Sequence, residues 1–172
     1  MLIGFLVFLD QVAKLIVYTF LSNIKFNIFN NFFGFKVLLN SNHLSVFNNN
    51  FMNLRISINV LIILNILICL FLISLFKYFK HIKIKSEAIY ISLILFIAGG
   101  VSSAIDKIFW GGSLDYIIFL GYIIDLKDIY LFLGSFITLV VLAKNLDFKE
   151  SNKQDMRFIK KYFIFIRGLC KR

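Results

Sequence analysis

Long apolar stretches, separated by short charged segments, dominate this chain. Residues 56–76 contain no charged side chain between Arg55 and Lys77. In a helix, a stretch of this length rises about 1.5 Å per residue and crosses a hydrocarbon core of about 30 Å. A second charge-free stretch covers residues 88–105. Both stretches therefore predict membrane-spanning helices.

Two less regular stretches complete a predicted set of four spans. Residues 1–22 are apolar except for Asp10 and Lys14, and residues 129–143 begin directly after Asp128. The internal charges and the lack of a basic start argue against a cleaved signal peptide at residues 1–22. Because residues 129–143 are short for a span, we expect Asp128 at or inside the membrane boundary. The predicted fold class is an all-α membrane protein with four transmembrane helices.

The segment 23–55 has a different pattern, because it is rich in asparagine and partly alternates apolar with other residues. The alternation covers residues 33–38 and 43–47, and a period of two is typical of strands. The run Asn40-Ser41-Asn42 between them is a turn signal. We therefore expect a small extracytoplasmic β element that rests on the outer membrane surface.

The charge pattern indicates how the chain is oriented. Its 19 Lys and Arg outnumber its 9 Asp and Glu, and its mean hydropathy is +0.87. Basic residues gather between Lys77 and Lys85 and again after residue 143, and the positive-inside rule places both regions in the cytoplasm with both chain termini. We predict a membrane domain over residues 1–145 and a basic amphipathic tail over 146–172. The tail is expected to contact membrane lipids and no nucleic acid, since no aromatic stacking module accompanies the charge.

Five of the nine acidic residues lie in or beside apolar sequence, where a carboxylate costs about 2.5–3.5 kcal/mol to insert. An ionisable group in such a place is a candidate functional residue. Two carboxylates brought together share one proton, so that one acts as a base and the other as an acid in amide hydrolysis. A cation pathway or a structural role stays open. The five are Asp10, Asp106, Asp115, Asp125 and Asp128.

Two further features concern the helices themselves. Asp10 and Lys14 are four residues apart, hence on one helix face, and they fit a pair that neutralises itself in the membrane. Gly99-Gly100, followed by the small residues Ser102, Ser103 and Ala104, predicts a surface for close helix packing.

Several motifs in chain order resemble those of the bacterial lipoprotein signal peptidases (signal peptidase II), which are four-span membrane aspartyl proteases. Asp10 with Lys14 resembles the D-x-x-x-K segment of the first span. Asn42 with Phe47 is similar to the pattern N-x-G-x-A-F, with the spacing kept. The resemblance covers most of residues 9–134.

The other two motifs lie in the second half of the chain. The stretch 99–117 resembles G-x-x-G-N-x-x-D-R-x-x-x-G-x-V-V-D-[FY]-I, with Asp106, Gly111 and Asp115 in place. The stretch 125–128 resembles N-x-A-D before the fourth span, and Asp128 is its final residue.

The resemblance implies a function. Asp115 and Asp128 would be the catalytic dyad of an endopeptidase that cleaves the signal peptide of a prolipoprotein before its diacylglyceryl-modified cysteine. The family uses no metal and no cofactor, is inhibited by globomycin, and works in the bacterial cytoplasmic (inner) membrane. Its outer β segment forms a cradle over the active site. The resemblance implies supporting roles for Asp10, Lys14, Asn42, Ser103, Asp106, Lys107 and Asp125.

This chain departs from the family pattern near the dyad. Ser102-Ser103 replaces Gly-Asn, Lys107 replaces Arg, and Asp125 replaces Asn. Lys107 lacks the planar fork of an arginine. Asp125 adds a third carboxylate, which is expected to raise the pKa of its neighbours.

Two alternatives remain at this point. A small transporter or ion-conducting protein would line a continuous route across the membrane with Asp10, Asp106 and Asp128. A family-like protein without activity would serve as a scaffold, for which the change at Ser102-Ser103 is the support.

Overall fold

The computed structural model describes residues 1–29, 32–40, 57–83, 86–145, 162 and 164–168. Four helices carry most of these residues, and each has a stretch long and apolar enough to cross a membrane. The four predicted spans are therefore confirmed. The helices are α1 (Leu2–Phe20), α2 (Ile58–His81), α3 (Glu87–Phe109) and α4 (Leu126–Asn145).

Helix α3 lies at the centre of the bundle, because it packs against each of the other three helices. Its glycines allow this packing. A Cβ atom on Gly99 would lie 2.8 Å from Leu131 Cδ2 of α4, and one on Gly100 would lie 2.7 Å from Cys69 Sγ of α2. The predicted surface for close helix packing is confirmed on two sides of α3.

Four antiparallel strands form one sheet in the order β1-β2-β3-β4. Strands β1 (Lys25–Ile28) and β2 (Phe33–Asn40) come from the segment predicted to be β-like. Strands β3 (Ser113–Phe119) and β4 (Tyr122–Ile124) come from the connection between α3 and α4, where no strand was predicted. The small β element is confirmed, and it is larger than the sequence pattern indicated.

The hairpin within residues 23–55 differs from the expected one. Strand β2 pairs with β1 on one side and with β3 on the other. The second predicted strand, at residues 43–47, and Ser41 and Asn42 of the predicted turn lie outside the described residues, whereas Asn40, the first residue of that turn, is the last residue of β2. The expectation for that half of the segment stays a prediction.

One end of the sheet contains the turn between β3 and β4. Leu120 and Gly121 both have positive φ (52° and 82°), which a two-residue turn between paired Phe119 and Tyr122 requires. The Leu120 amide donates to the Phe32 carbonyl at 3.0 Å. This bond ties the turn of one hairpin to the turn of the other.

Toward the opposite end of the sheet, the pairing of β2 with β3 contains a bulge. The register of β2 against β3 shifts between Phe35, which opposes Ile117, and Leu38, which opposes Asp115. A bulge bends a strand and changes where its side chains point. After it, Asn40 opposes Ser113, two residues before Asp115. The sheet thereby brings polar side chains of two strands to the ends of α3 and α4.

The described part of the tail is helical and contacts α2. The Tyr162 ring lies 5.3 Å from the Tyr78 ring, and its hydroxyl contacts the Ser74 hydroxyl. Contact of the tail with membrane lipids stays a prediction.

Candidate active site

Asp115 is buried in β3 and held from two sides. The Ser113 hydroxyl donates to its Oδ1, and the Asn40 amide donates to its Oδ2 at 3.3 Å. Only 4% of the residue is exposed. Burial raises the pKa of Asp115, the hydrogen bond from Ser113 and the Lys127 charge oppose that rise, and the negative charge of Asp125 adds to it.

At the start of α4, the side chains of Asp125 and Asp128 each accept a hydrogen bond from the backbone amide of the other residue. The Asp128 amide donates to Asp125 Oδ1 at 3.1 Å, and the Asp125 amide donates to Asp128 Oδ2 at 3.2 Å. This reciprocal pattern is that of a capping box, which satisfies two amides that a helix start leaves free. It fixes the Asp128 side chain beside Asp125, and it explains why α4 begins earlier than the apolar run predicts.

The strand and the helix start bring the two aspartates of the implied dyad together. One oxygen from each of Asp115, Asp125 and Asp128 lies within 4.8 Å of the others. Asp128 is half-buried, whereas Asp115 and Asp125 are buried. Carboxylates this close cannot all be ionised at low cost, which favours a proton shared within the group.

A buried ammonium joins three carboxylates from different parts of the chain. Lys14 Nζ lies 2.7 Å from Asp10 Oδ2, 2.6 Å from Asp106 Oδ2 and 2.8 Å from Asp125 Oδ2. The predicted pair of Asp10 and Lys14 is confirmed, but it does not stand alone. Through Lys14 the pair links α1 to the end of α3 and to the start of α4.

Lys127 is the principal residue that the sequence reasoning missed. Its Nζ contacts Asp125 Oδ2, donates to Ser113 Oγ, and lies 3.2 Å from Asp106 Oδ2 and 3.8 Å from Asp115 Oδ1. Its backbone amide donates to Asp10 Oδ1 at 3.2 Å.

A signal for Lys127 was present in the motif. A lysine at the start of a span is costly unless acidic groups surround it. It stands where the family pattern has alanine, just as Ser113 stands where the pattern has valine. Gln11 was missed too, although its amide bridges Asp10 and Asp106 at 3.1 and 3.0 Å.

The charges around Asp125 determine its ionisation. Burial alone would raise its pKa, but Lys127 and Lys14 outweigh burial and hold the pKa below the ordinary value. Asp125 is therefore a fixed negative charge between two ammonium groups.

The structure shows no bond between the carboxylate cluster and the two remaining predicted site residues that it describes, Ser103 and Lys107. Lys107 Nζ donates to Ser103 Oγ at 2.6 Å and to the Ser103 carbonyl at 3.3 Å. Among the residues that the structure describes, Lys107 makes no ion pair with the carboxylate network. The neighbouring Ser102 hydroxyl is buried without a hydrogen-bond partner in the described part of the chain. Asn42 lies outside the described residues.

The spacing of Asp115, Asp125 and Asp128 alone would accommodate a small cation. An ammonium already faces two of these carboxylates, since Lys127 Nζ contacts Asp125 and lies near Asp115. Lys127 therefore supplies positive charge where a metal ion would supply it.

These features define a multi-pass membrane protein with a carboxylate cluster between its helices and a small sheet. Residues 2–144 match the family model described as signal peptidase (SPase) II. The chain therefore belongs to the signal peptidase II family, as the motifs indicated. It is a membrane protease of the kind that processes the signal peptides of lipoprotein precursors.

Two solved structures, both described as a bacterial membrane enzyme, have a similar fold. The one at 2.3 Å resolution has a TM-score of 0.67 and 23% identity, and covers 88% of this chain and 90% of its own. The one at 1.9 Å has a TM-score of 0.65 and 22% identity, with 84% and 91% covered. None of the curated proteins compared with this chain matches it.

Proposed function

We propose that this protein is an aspartic endopeptidase that cleaves prolipoproteins before the diacylglyceryl-modified cysteine. A water molecule held between Asp115 and Asp128 would attack the scissile carbonyl. The observation that carries this proposal is the approach of the two carboxylates to within 4.8 Å, although they come from a strand and a helix. Membership of the signal peptidase II family supports the same reaction.

A dyad with one proton suffices for the chemistry. The ionised carboxylate takes a proton from water as the new C–O bond forms, while the protonated carboxyl gives its proton to the carbonyl oxygen. When the intermediate collapses, the C–N bond breaks, the departing nitrogen takes the first proton, and the second carboxyl regains its own. The products are a carboxylic acid and an amine, and the dyad returns to its initial state.

The position of the other charges favours a peptidase over an ion pathway. An ion route needs acidic groups spaced across the membrane, free to bind cations in turn. Here Asp10, Asp106 and Asp125 all bind one ammonium, Lys14. Three carboxylates bound to one ammonium support a fixed site where α3 ends and α4 begins.

The decisive experiment uses purified protein and a lipid-modified prolipoprotein. Asp115→Asn and Asp128→Asn should each reduce cleavage by about 10³-fold or more, since a general acid or base contributes about 10²–10⁴-fold. Glu87→Gln is the matched control, because Glu87 is exposed at the start of α3. Globomycin should inhibit the unaltered protein. Cleavage retained in both Asn variants would reject the dyad, and a wild-type chain that cleaves nothing would favour the scaffold alternative.

The proposed location is the bacterial cytoplasmic (inner) membrane, with both termini and the tail over residues 146–172 in the cytoplasm. Cysteine labelling tests this orientation in a variant whose Cys69 and Cys170 are replaced by serine. A membrane-impermeant thiol reagent added to intact cells should label Lys25→Cys, on the sheet, and leave His81→Cys, at the end of α2, unlabelled. The reverse pattern would contradict the orientation.

A further inference from the structure

We propose that Lys127, acting through Ser113, is a positioning residue that makes Asp115 the base of the dyad and leaves the proton on Asp128. This inference rests on the proposed function, since it assigns roles within that dyad. Neither lysine nor serine belongs to the family pattern at these positions, yet the structure places the two side chains in contact.

The two aspartates differ in the donors that surround them. Asp115 accepts the Ser113 hydroxyl on one oxygen and the Asn40 amide on the other. Asp128 accepts the Asp125 amide on Oδ2, and among the described residues its Oδ1 accepts nothing. Donors stabilise a carboxylate in its ionised form, whereas an oxygen without a donor is free to carry a proton. The negative charge therefore belongs on Asp115.

The direction of the Ser113 hydroxyl follows from Lys127. An ammonium group has only donors, so the bond between Lys127 Nζ and Ser113 Oγ makes the serine oxygen the acceptor. The single serine proton is then available to Asp115 Oδ1, which lies nearer than the other possible acceptor, Asp125 Oδ2 at 3.4 Å. The chain of bonds runs from ammonium to hydroxyl to carboxylate, and it extends the positive charge of Lys127 toward Asp115.

Carboxylates other than Asp115 hold the Lys127 ammonium in place. Only 7% of its side chain is exposed, and its ammonium contacts both Asp106 and Asp125. Asp125 is itself bound by Lys14. In the described part of the chain, the charged groups beside Asp115 are Lys127, with its Nζ 3.8 Å away, and Asp125 and Asp128, each with an oxygen within 4.8 Å. Behind them lie Lys14 with Asp10 and Asp106, and Lys36 is on the paired strand β2.

These roles make the proton transfers specific. Asp115 takes the proton of the attacking water, and Asp128 donates its proton to the carbonyl oxygen. Asp115 then delivers its proton to the departing nitrogen, while Asp128 recovers one from the intermediate. A neutral residue at position 127 would remove a positive charge 3.8 Å from Asp115 Oδ1 and the donor that orients Ser113, so a larger share of molecules would have both carboxyls protonated at a given pH.

The test is the pH profile of cleavage for Lys127→Gln, Lys127→Arg and Ser113→Ala, with Lys25→Gln as the exposed control on β1. In Lys127→Gln the acid limb should move up by about one pH unit, with cleavage about tenfold slower on that limb and recovery at higher pH. Ser113→Ala should move the limb the same way by a smaller amount. Lys127→Arg, which keeps the charge, should leave the limb where it is.

The outcomes separate this inference from the proposed function. Acid limbs of Lys127→Gln and Ser113→Ala that coincide with the wild-type limb would overturn the inference, as would a shift to lower pH. If Lys127→Gln fails to fold, Ser113→Ala decides alone. Loss of cleavage in Asp115→Asn and Asp128→Asn with unmoved limbs would leave the dyad standing and reject only the role of Lys127. Cleavage that survives in those two Asn variants would reject both.

Discussion

The ammonium of Lys14 lies 2.8 Å from Asp125 Oδ2, and neither side chain is exposed to solvent. Lys14 is in the middle of α1, whereas Asp125 immediately precedes α4 and caps it. This ion pair therefore links the first span to the turn that carries Asp128. The shape of the site depends on a contact within the bundle as well as on the local turn.

Replacing Lys14 tests how far this network supports the fold. Lys14→Met leaves three buried carboxylates without one of their counter-charges, and removal of one partner of a buried pair costs about 3–5 kcal/mol. We expect a loss of that order in the free energy of unfolding, measured by denaturant titration in detergent. Lys25→Met, at an exposed position, should change it little. Adding Asp106→Asn to Lys14→Met should restore part of the loss, and strict additivity of the two changes would contradict the network.

Asp125 has two functions that two substitutions separate. Asn keeps an oxygen for the Asp128 amide but loses the charge that faces the two lysines, whereas Ala loses both. We expect the thermal midpoint to fall in the order wild type, Asp125→Asn, Asp125→Ala. The free energy of unfolding should fall by about 1 kcal/mol from Asp125→Asn to Asp125→Ala, which is the usual contribution of an N-cap. Equal midpoints for the two variants would show that the cap contributes nothing.

Close packing of α3 against α4 predicts a contrast between two glycines. A Cβ on Gly99 would lie 2.8 Å from Leu131 Cδ2, whereas one on Gly4 of α1 meets no atom within 4 Å. Gly99→Ala should therefore destabilise the protein by about 1–3 kcal/mol, as overpacking does. Gly4→Ala should be neutral or stabilising by up to about 1 kcal/mol, because alanine favours helix. Thermal unfolding measures both, and Leu131→Ala should relieve part of the cost at Gly99.

The helices were predictable because their signal is local. A charge-free run such as residues 56–76 identifies itself by length and composition, and α2 covers it from Ile58 onward. The extent of the sheet was not predictable in this way. Residues 113–119 lack a clear alternation, since Leu114, Asp115, Tyr116 and Ile118 are all buried in the folded chain. A strand buried on both faces has no period of two to detect.

The residues of the site likewise fall into those that the sequence predicts and those that only the fold brings together. The paired aspartates were found because a carboxylate in apolar sequence is conspicuous and because the motif spacing was kept. Lys127 and Ser113 were missed because their importance depends on contacts between α4 and β3. A lysine at the start of a span indicates acidic neighbours, but only the fold shows which carboxylates surround Lys127.

The ionisation of Asp115 predicts how stability depends on pH. Its pKa is raised above the ordinary value of about 3.9, chiefly by burial, so the native protein keeps a proton at pH values where the unfolded chain has lost it. Over that interval the free energy of unfolding contributed by this group falls as pH rises. Asp115→Asn removes the penalty and should raise the thermal midpoint at pH 7, while at a pH below about 3.9 the two proteins should unfold alike. Glu87→Gln is the control, and an Asn variant that is less stable than wild type at pH 7 would contradict the burial of an unfavourable charge at Asp115.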